Sequence, residues 1–218
     1  LFRIADATRQ VQVRPRRAEL SLSMVPSFAS HWLMPRLACF RAQYPHVYLR
    51  IQANLSVTDL QQEGADIAIR MGNGEWAGLH SEHLFKDRLL VVAAPHFNGG
   101  DLPRTPQQIA ASEIMFTLES WSDWCEAAGL SQLITARGIV INDSNLVLQA
   151  VRLGQGIALE RLSLVHDAIQ RGELVQLTSI SVDYPWPYWL VTRQDRQVAS
   201  EEEVFITWLR EEVGNNES

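Results

Sequence analysis

Two runs of this sequence echo each other, and the echo limits what the chain can fold into. Gly64-Ala65-Asp66-Ile67-Ala68-Ile69 parallels Gly154-Gln155-Gly156-Ile157-Ala158-Leu159. In each, a glycine stands where a helix would end in the left-handed conformation, and a short apolar run follows at once. Each helix-compatible stretch is opened by a polar cap, Asn54-Leu55-Ser56 in the first half and Asn142-Asp143-Ser144 in the second. A strand precedes each cap. Strand–helix–strand units of this kind build parallel α/β layers. Two of them predict two similar α/β lobes. The plainer alternative is that Gly-x-x-Ile-Ala occurs wherever a helix feeds a parallel strand.

The rest of the pattern fills in around these units. Leu1, Ile4, Thr8 and Val11 fall at heptad spacing, so residues 1–13 read as a helix, either a coiled-coil end or a frayed surface helix. Arg14-Pro15-Arg16-Arg17 stops it, and a compact body is expected from about residue 18. Strands are predicted at 19–25, 47–53, 66–70, 80–86, 88–94, 113–118, 136–141, 156–159 and 188–192. Helices are predicted at 28–44, with Ser27 as its cap and Pro35 bending it, and at 56–62, 121–128, 144–153, 162–170 and 198–213. Phe28, Trp32, Leu33, Leu37, Cys39 and Phe40 make the apolar stripe of the first long helix. Residues 95–106, rich in Pro, Gly and Asn, form a candidate boundary.

Composition removes several classes. With 46 % hydrophobic and 20 % charged residues the chain is neither disordered nor fibrous. Cys39 and Cys125 cannot supply a disulfide framework, and no CxxC spacing suggests a metal. No apolar run is long enough to span a membrane, and no basic-then-apolar leader opens the sequence. The net charge of −6 makes the chain as a whole a poor nucleic-acid binder, although five arginines lie within residues 1–20. His80 and His83, three apart in a strand, point to opposite faces and make a poor metal pair. There is no GxGxxG, Walker, GxSxG or HExxH motif, so no catalytic or cofactor site is expected.

The chemistry on offer lies where helices begin and strands end. Free N–H groups at helix N-termini suit small carboxylates, and Ser27 and Ser144 add hydroxyls there, unless each merely caps its own helix. Arg70 ends an apolar strand, where a guanidinium grips a carboxylate through two hydrogen bonds or serves a structural ion pair. Trp76 follows on a glycine-rich loop, as a lid wall or an exposed aromatic. Tyr184-Pro-Trp-Pro-Tyr188-Trp189 is stiffened by its prolines and presents the Tyr188 hydroxyl at low entropic cost, core packing being the other reading.

Met24-Val-Pro-Ser-Phe-Ala-Ser-His-Trp-Leu-Met-Pro-Arg-Leu37 resembles the start of the effector domain of LysR-type transcriptional regulators, nearest the glycine-cleavage-activator and β-lactamase-regulator subgroup. Asp66–Arg70, the stretch from Gln149-Ala150 to Ala158, and Phe205-Ile-Thr-Trp-Leu209 agree, so the likeness runs along the whole chain. The resemblance implies two Rossmann-like lobes of the periplasmic binding protein type II kind. Residues 1–17 would be the end of a dimerisation linker helix, 18–94 plus 192–218 the first lobe and 95–191 the second. It implies a small-molecule effector, anionic by the chemistry above, held between the lobes without a cofactor. Ser27, Ser144 and Tyr188 match the subgroup's pocket hydroxyls, and Asn54, Arg70, Trp76 and Thr117 are expected to face the same cleft. It implies a homodimer, or a tetramer at full length. DNA would be read by a winged helix-turn-helix absent from this chain, with RNA polymerase as a further contact and no membrane. The location would be cytoplasmic. The dimer would pair the helix over 28–44 with the second lobe of the other copy.

Two rival readings use the same fold. An extracytoplasmic solute-binding protein would call for a signal peptide and not a basic, heptad-like start. An enzyme acting on a small acid would need an acid–base pair in the cleft, and the sequence suggests none.

Overall fold

The computed structural model describes residues 19–54, 64–194 and 199–216. The helices expected over 1–13 and 56–62 lie outside these residues. Two sheets result. The first contains β1 (Glu19–Met24), β2 (Tyr48–Ala53), β3 (Ile67–Met71), β4 (Leu79–Phe85) and, late in the chain, β8 (Tyr188–Arg193), in the order β2-β1-β3-β8-β4. β1 runs parallel to β2 and β3, as a crossover unit requires, whereas β8 is antiparallel to both neighbours. The second sheet is β6 (Ala158–Arg161), β5 (Arg88–Ala93) and β7 (Val175–Asp183), all antiparallel. Single parallel bridges, Ile114 to Ile157 and Phe116 to Val140, extend it.

The sequence assigned 88–94 to the first lobe and 188–191 to the second, but strand pairing groups them the other way. β5 is apolar at almost every position because both its faces are covered. Leu89, Val91 and Ala93 pack with Trp121 and Trp124, and Leu90 and Val92 pack with Val147, Val151, Leu164 and Val165. The chain crosses from sheet to sheet at Lys86-Asp87 and returns through Tyr184-Pro185-Trp186-Pro187. The two crossings are tied together, since the Tyr184 N–H donates to the Asp87 carbonyl at 2.9 Å.

The first helical stretch carries a local surprise. It runs from α1 (Pro26–Phe28) through a π-helical turn at Ala29–Leu33 into α2 (Met34–Gln43) without a break in dihedrals. Pro35 has no N–H for the carbonyl four residues back, and its ring crowds that carbonyl. The widened turn, closed by Met34 N–H to Ala29 O, absorbs it in place of the expected bend. Phe28, Trp32, Leu33 and Phe40 pack with Leu20, Leu22, Met24 and with Phe205, Trp208 and Leu209 of α7 (Ser200–Asn216) to form the first core. Cys39, expected on this stripe, is exposed instead.

In the second half, α5 (Ser144–Arg152) and α6 (Leu162–Gln170) appear within a residue of their expected bounds. Gly154 has φ +72°, with Gly154 N–H on Val151 O and Gln155 N–H on Ala150 O, the pair of hydrogen bonds of a glycine-closed helix end. Gly64 has φ +67°, so both halves of the sequence echo use the left-handed glycine. The runs 113–118 and 136–141 make only the isolated bridges and not strands. Among the described residues three elements were unforeseen: β7, a 3-10 turn at Phe97–Gly100 inside the expected boundary segment, and the short α3 (Pro106–Ala111), opened at the end of that segment by a Thr105–Gln108 capping box. α4 (Ser122–Ala127) completes the set.

Candidate functional site

Arg161 is the centre of the space between the sheets. It ends β6 and immediately precedes α6, so its side chain leaves the second sheet toward the first. Nη1 donates to the Tyr188 hydroxyl of β8 at 3.0 Å and abuts the Met71 sulfur. Nη2 donates to Ser27 Oγ at 3.3 Å and Ser144 Oγ at 3.1 Å. The guanidinium also sits over the Tyr184 ring, 5.5 Å from its centroid. It is 4 % exposed and makes no ion pair among the described residues.

The two serines are available because other groups cap their helices. Val25 is the N-cap of α1, with Pro26 in the first turn and no side-chain cap bond. Asp143 is the N-cap of α5, accepting from Asn145 N–H at 2.9 Å. The expectation that Ser27 and Ser144 cap is therefore corrected, because each stands inside the helix with its hydroxyl turned to Arg161.

A cavity of about 290 Å³ opens beside this cluster. Ser27, Thr117, Glu119, Asn142, Asp143, Ser144, Arg161 and Tyr184 supply its polar wall, and Val25, Met71 and Ile141 its apolar one. Leu118 and Trp186, both well exposed, stand at its mouth. Thr117 Oγ1 accepts from Glu119 N–H at 3.0 Å.

Charge in this space is poised. Burial works against the Arg161 cation, but Tyr188, Glu160, Tyr184 and Glu119 hold its pKa above the ordinary value. Glu160, completely buried, is pushed up to about 7 by burial, although Arg161 and a hydrogen bond from Ser144 pull the other way. Burial also raises Glu119 and Asp87, and takes Tyr188 up to about 12. The sequence suggested no acid–base pair here, yet Ser144 Oγ donates to Glu160 Oε2 at 3.2 Å. That hydroxyl already accepts from Arg161, and Glu160 is sealed from solvent, which leaves the pair a poor nucleophile and base.

A model of one protein family, the LysR substrate binding domain, matches residues 14–214. The chain belongs to that family. It is 35 % identical over 175 residues to the glycine cleavage system transcriptional activator of Escherichia coli K12, covering 79 % of this chain and 57 % of that one. It is 30 % identical over 203 residues to the HTH-type transcriptional activator AmpR of Citrobacter koseri, covering 92 % and 70 %. The effector domain of AmpR from Pseudomonas aeruginosa superposes with a TM-score of 0.77 at 30 % identity, over 91 % of this chain and 96 % of that one. The Citrobacter freundii AmpR effector binding domain, at 23 % identity, has the same TM-score and shows the shared fold, over 91 % and 99 %. The chain spans little more than half of the E. coli activator. Its two-sheet α/β architecture is that of LysR effector domains, of the periplasmic binding protein type II kind.

Of the residues singled out in the sequence of this LysR domain, Ser27, Ser144 and Tyr188 converge on Arg161, and Thr117 lines the same cavity. Three others do not line it. Buried Arg70 donates to Ser23 Oγ at 2.6 Å and Asn54 Oδ1 at 3.3 Å, tying the ends of β1, β2 and β3 together. Trp76 packs with Leu79 and Trp189 over Ala65, Ala68 and Val191. Arg161 and Glu160 escaped the sequence reading. The signal was there, since Glu160-Arg161 is a pair of charges ending the second echoed strand, the place Arg70 holds in the first.

Proposed function

We propose that this chain is the sensing part of a LysR-type regulator and that its effector is a small anion bound at Arg161. One observation carries the reading. A buried guanidinium is shared by hydroxyls from α1 and β8 on one side and α5 on the other, beside a cavity of about 290 Å³. Hydroxyls orient this cation, and a carboxylate entering the cavity would take over donors that now serve them. Ser27, Ser144 and Tyr188 are the contacts we assign beside it, with Thr117 at the edge. Asn54, Arg70 and Trp76 we assign to the scaffold.

The lobes we assign follow the sheets: 19–86 with 188–216 as one, and 87–187 as the other. An effector that prefers one pose of the lobes shifts the population toward it, and in the full protein that would alter the spacing of DNA-reading heads. The relatives' HTH-type names support such a head outside this chain. The reading is of a cytoplasmic, non-enzymatic domain that pairs with a second copy, with RNA polymerase contact as a task of the whole protein. Exposed Met34 and Cys39 on α2 suit that pairing. Among the described residues no helix is long and apolar enough to cross a membrane.

The test is a thermal-shift screen of carboxylates, amino acids and cell-wall peptides. A ligand at 100 times its Kd stabilises by about 2.7 kcal/mol. A hit lost in S144A and Y188F supports the site, and a hit indifferent to both moves it elsewhere.

A further inference from the structure

One group in this space has no role in the anion reading. Glu160 is wholly buried, and Oε2 accepts from Ser144 Oγ at 3.2 Å and from the Arg161 backbone N–H at 3.4 Å. Its other oxygen, Oε1, has no partner among the described residues. Ser144 stands between the two charges, donating to Glu160 and accepting from Arg161. The groups that act on Glu160 are Arg161 on its own strand, Ser144 of α5 and Glu119 of the segment following Phe116. Tyr188 of β8 also feels its charge. Asp87, just before β5, is coupled to Arg161 and Tyr188, and His31 of the π-helical turn also feels Arg161. Arg161 is the one cation in this set.

An isolated carboxylate in the interior is strongly disfavoured and neutralises when it loses its compensating charge. Glu160 is tolerated as an anion because Arg161 lies next to it. An anionic ligand on Arg161 takes up that charge and brings a like charge toward Glu160. We propose that seating an anion on Arg161 draws a proton onto Glu160, so that effector binding carries proton uptake. This rests on the anion site proposed above. Because burial already holds Glu160 at about 7, the change falls near neutral pH. Linkage is reciprocal, so affinity for the anion rises as pH falls through neutrality, by about tenfold in all for a midpoint shift of about one pH unit.

The probe is formate, and the readout is ¹³C NMR of the glutamate Cδ carbons of the chain, with E160Q assigning the Glu160 signal. Saturating formate is expected to raise the Glu160 midpoint by about one pH unit, a tenfold gain in proton affinity. The S27D variant, which fixes a carboxylate beside Nη2, should raise it without formate. Formate that perturbs the Arg161 Nε signal while the Glu160 midpoint stays put overturns the linkage and leaves the anion site standing. Formate that leaves Arg161 unperturbed overturns the site and the linkage together. An ordinary carboxylate midpoint for Glu160 in the empty protein overturns the linkage alone.

Discussion

Two arginines cross between the lobes in opposite directions, and they are held in different ways. Arg36, on α2 of the first lobe, reaches Asp167 of α6 in a forked pair at 2.7 and 3.2 Å, with Glu212 at 3.8 Å and the Trp32 ring 4.7 Å away. Its charge meets carboxylates, and the pair touches water. Arg161, on the second lobe, is deeper and meets hydroxyls. Carboxylates neutralise a guanidinium and leave a strut. Hydroxyls orient a guanidinium without a direct ion pair, and the carboxylates that balance Arg161 act on it, among the described residues, without contact at its Nη atoms. In this molecule the same residue type makes a fastening on one side of the seam and, on the function proposed above, a receptor on the other.

The sharpest way to break this comparison is to remove the buried cation. R161M strands Glu160 and three hydroxyls in the interior, and is expected to cost about 3–5 kcal/mol in urea unfolding at pH 7. The double variant R161M/E160Q should recover most of that loss, since the stranded carboxylate goes with the cation. If R161M cost less than R36A, the contrast would be reversed.

The pH dependence is nearly as large. Glu160 has a folded value of about 7, above the ordinary glutamate value of about 4.3 in the unfolded chain. Between the two the folded state holds the extra proton, so this group's contribution is full below about pH 4 and lost as pH rises through 7. The loss comes to about 3–4 kcal/mol, and E160Q should remove that slope from a plot of stability against pH. Asp167 behaves oppositely. Burial pushes its carboxyl up, but hydrogen bonds from Arg36 and His166 outweigh that and hold it below the usual range. Its contribution is therefore present above pH 4 and lost only in stronger acid.

Smaller effects sharpen the same contrast. R36A, at a partly exposed pair, is expected to cost about 1 kcal/mol, less in high salt, and to leave effector affinity unchanged in a titration. R210A breaks a forked but exposed pair with Glu82 and should cost about 0.5 kcal/mol or less by the same unfolding assay.

What the sequence disclosed divides along physical lines. Helices with a strong apolar stripe and a glycine stop, such as Leu162–Gln170 before Gly172, were legible to the residue, because the deciding interactions are local. β7 was missed because its apolar alternation changes phase part-way, from Val175 and Leu177 to Ile180 and Val182, and most of its residues are only partly buried. The sheet memberships of β5 and β8 depend on pairing between distant segments, which no local pattern contains. The site divides likewise. Ser27, Ser144 and Tyr188 were visible as hydroxyls at helix starts and in a stiff aromatic run. Arg161 escaped the reading that singled out Arg70 at the matching strand end, because which of two strand-end arginines faces the cavity depends on how distant segments pack.

The return crossing has one more consequence. Tyr184 and Trp186 line the cavity, and the same four-residue run carries the chain back between the sheets, fastened by Tyr184 to Asp87. Wall and axle are one piece of backbone, stiffened by two prolines. On the function proposed above, a molecule pressing on that wall would act where the two crossings are tied, with no lever arm in between. The angle between the lobes, and not the shape of either, is then the quantity such a ligand would set.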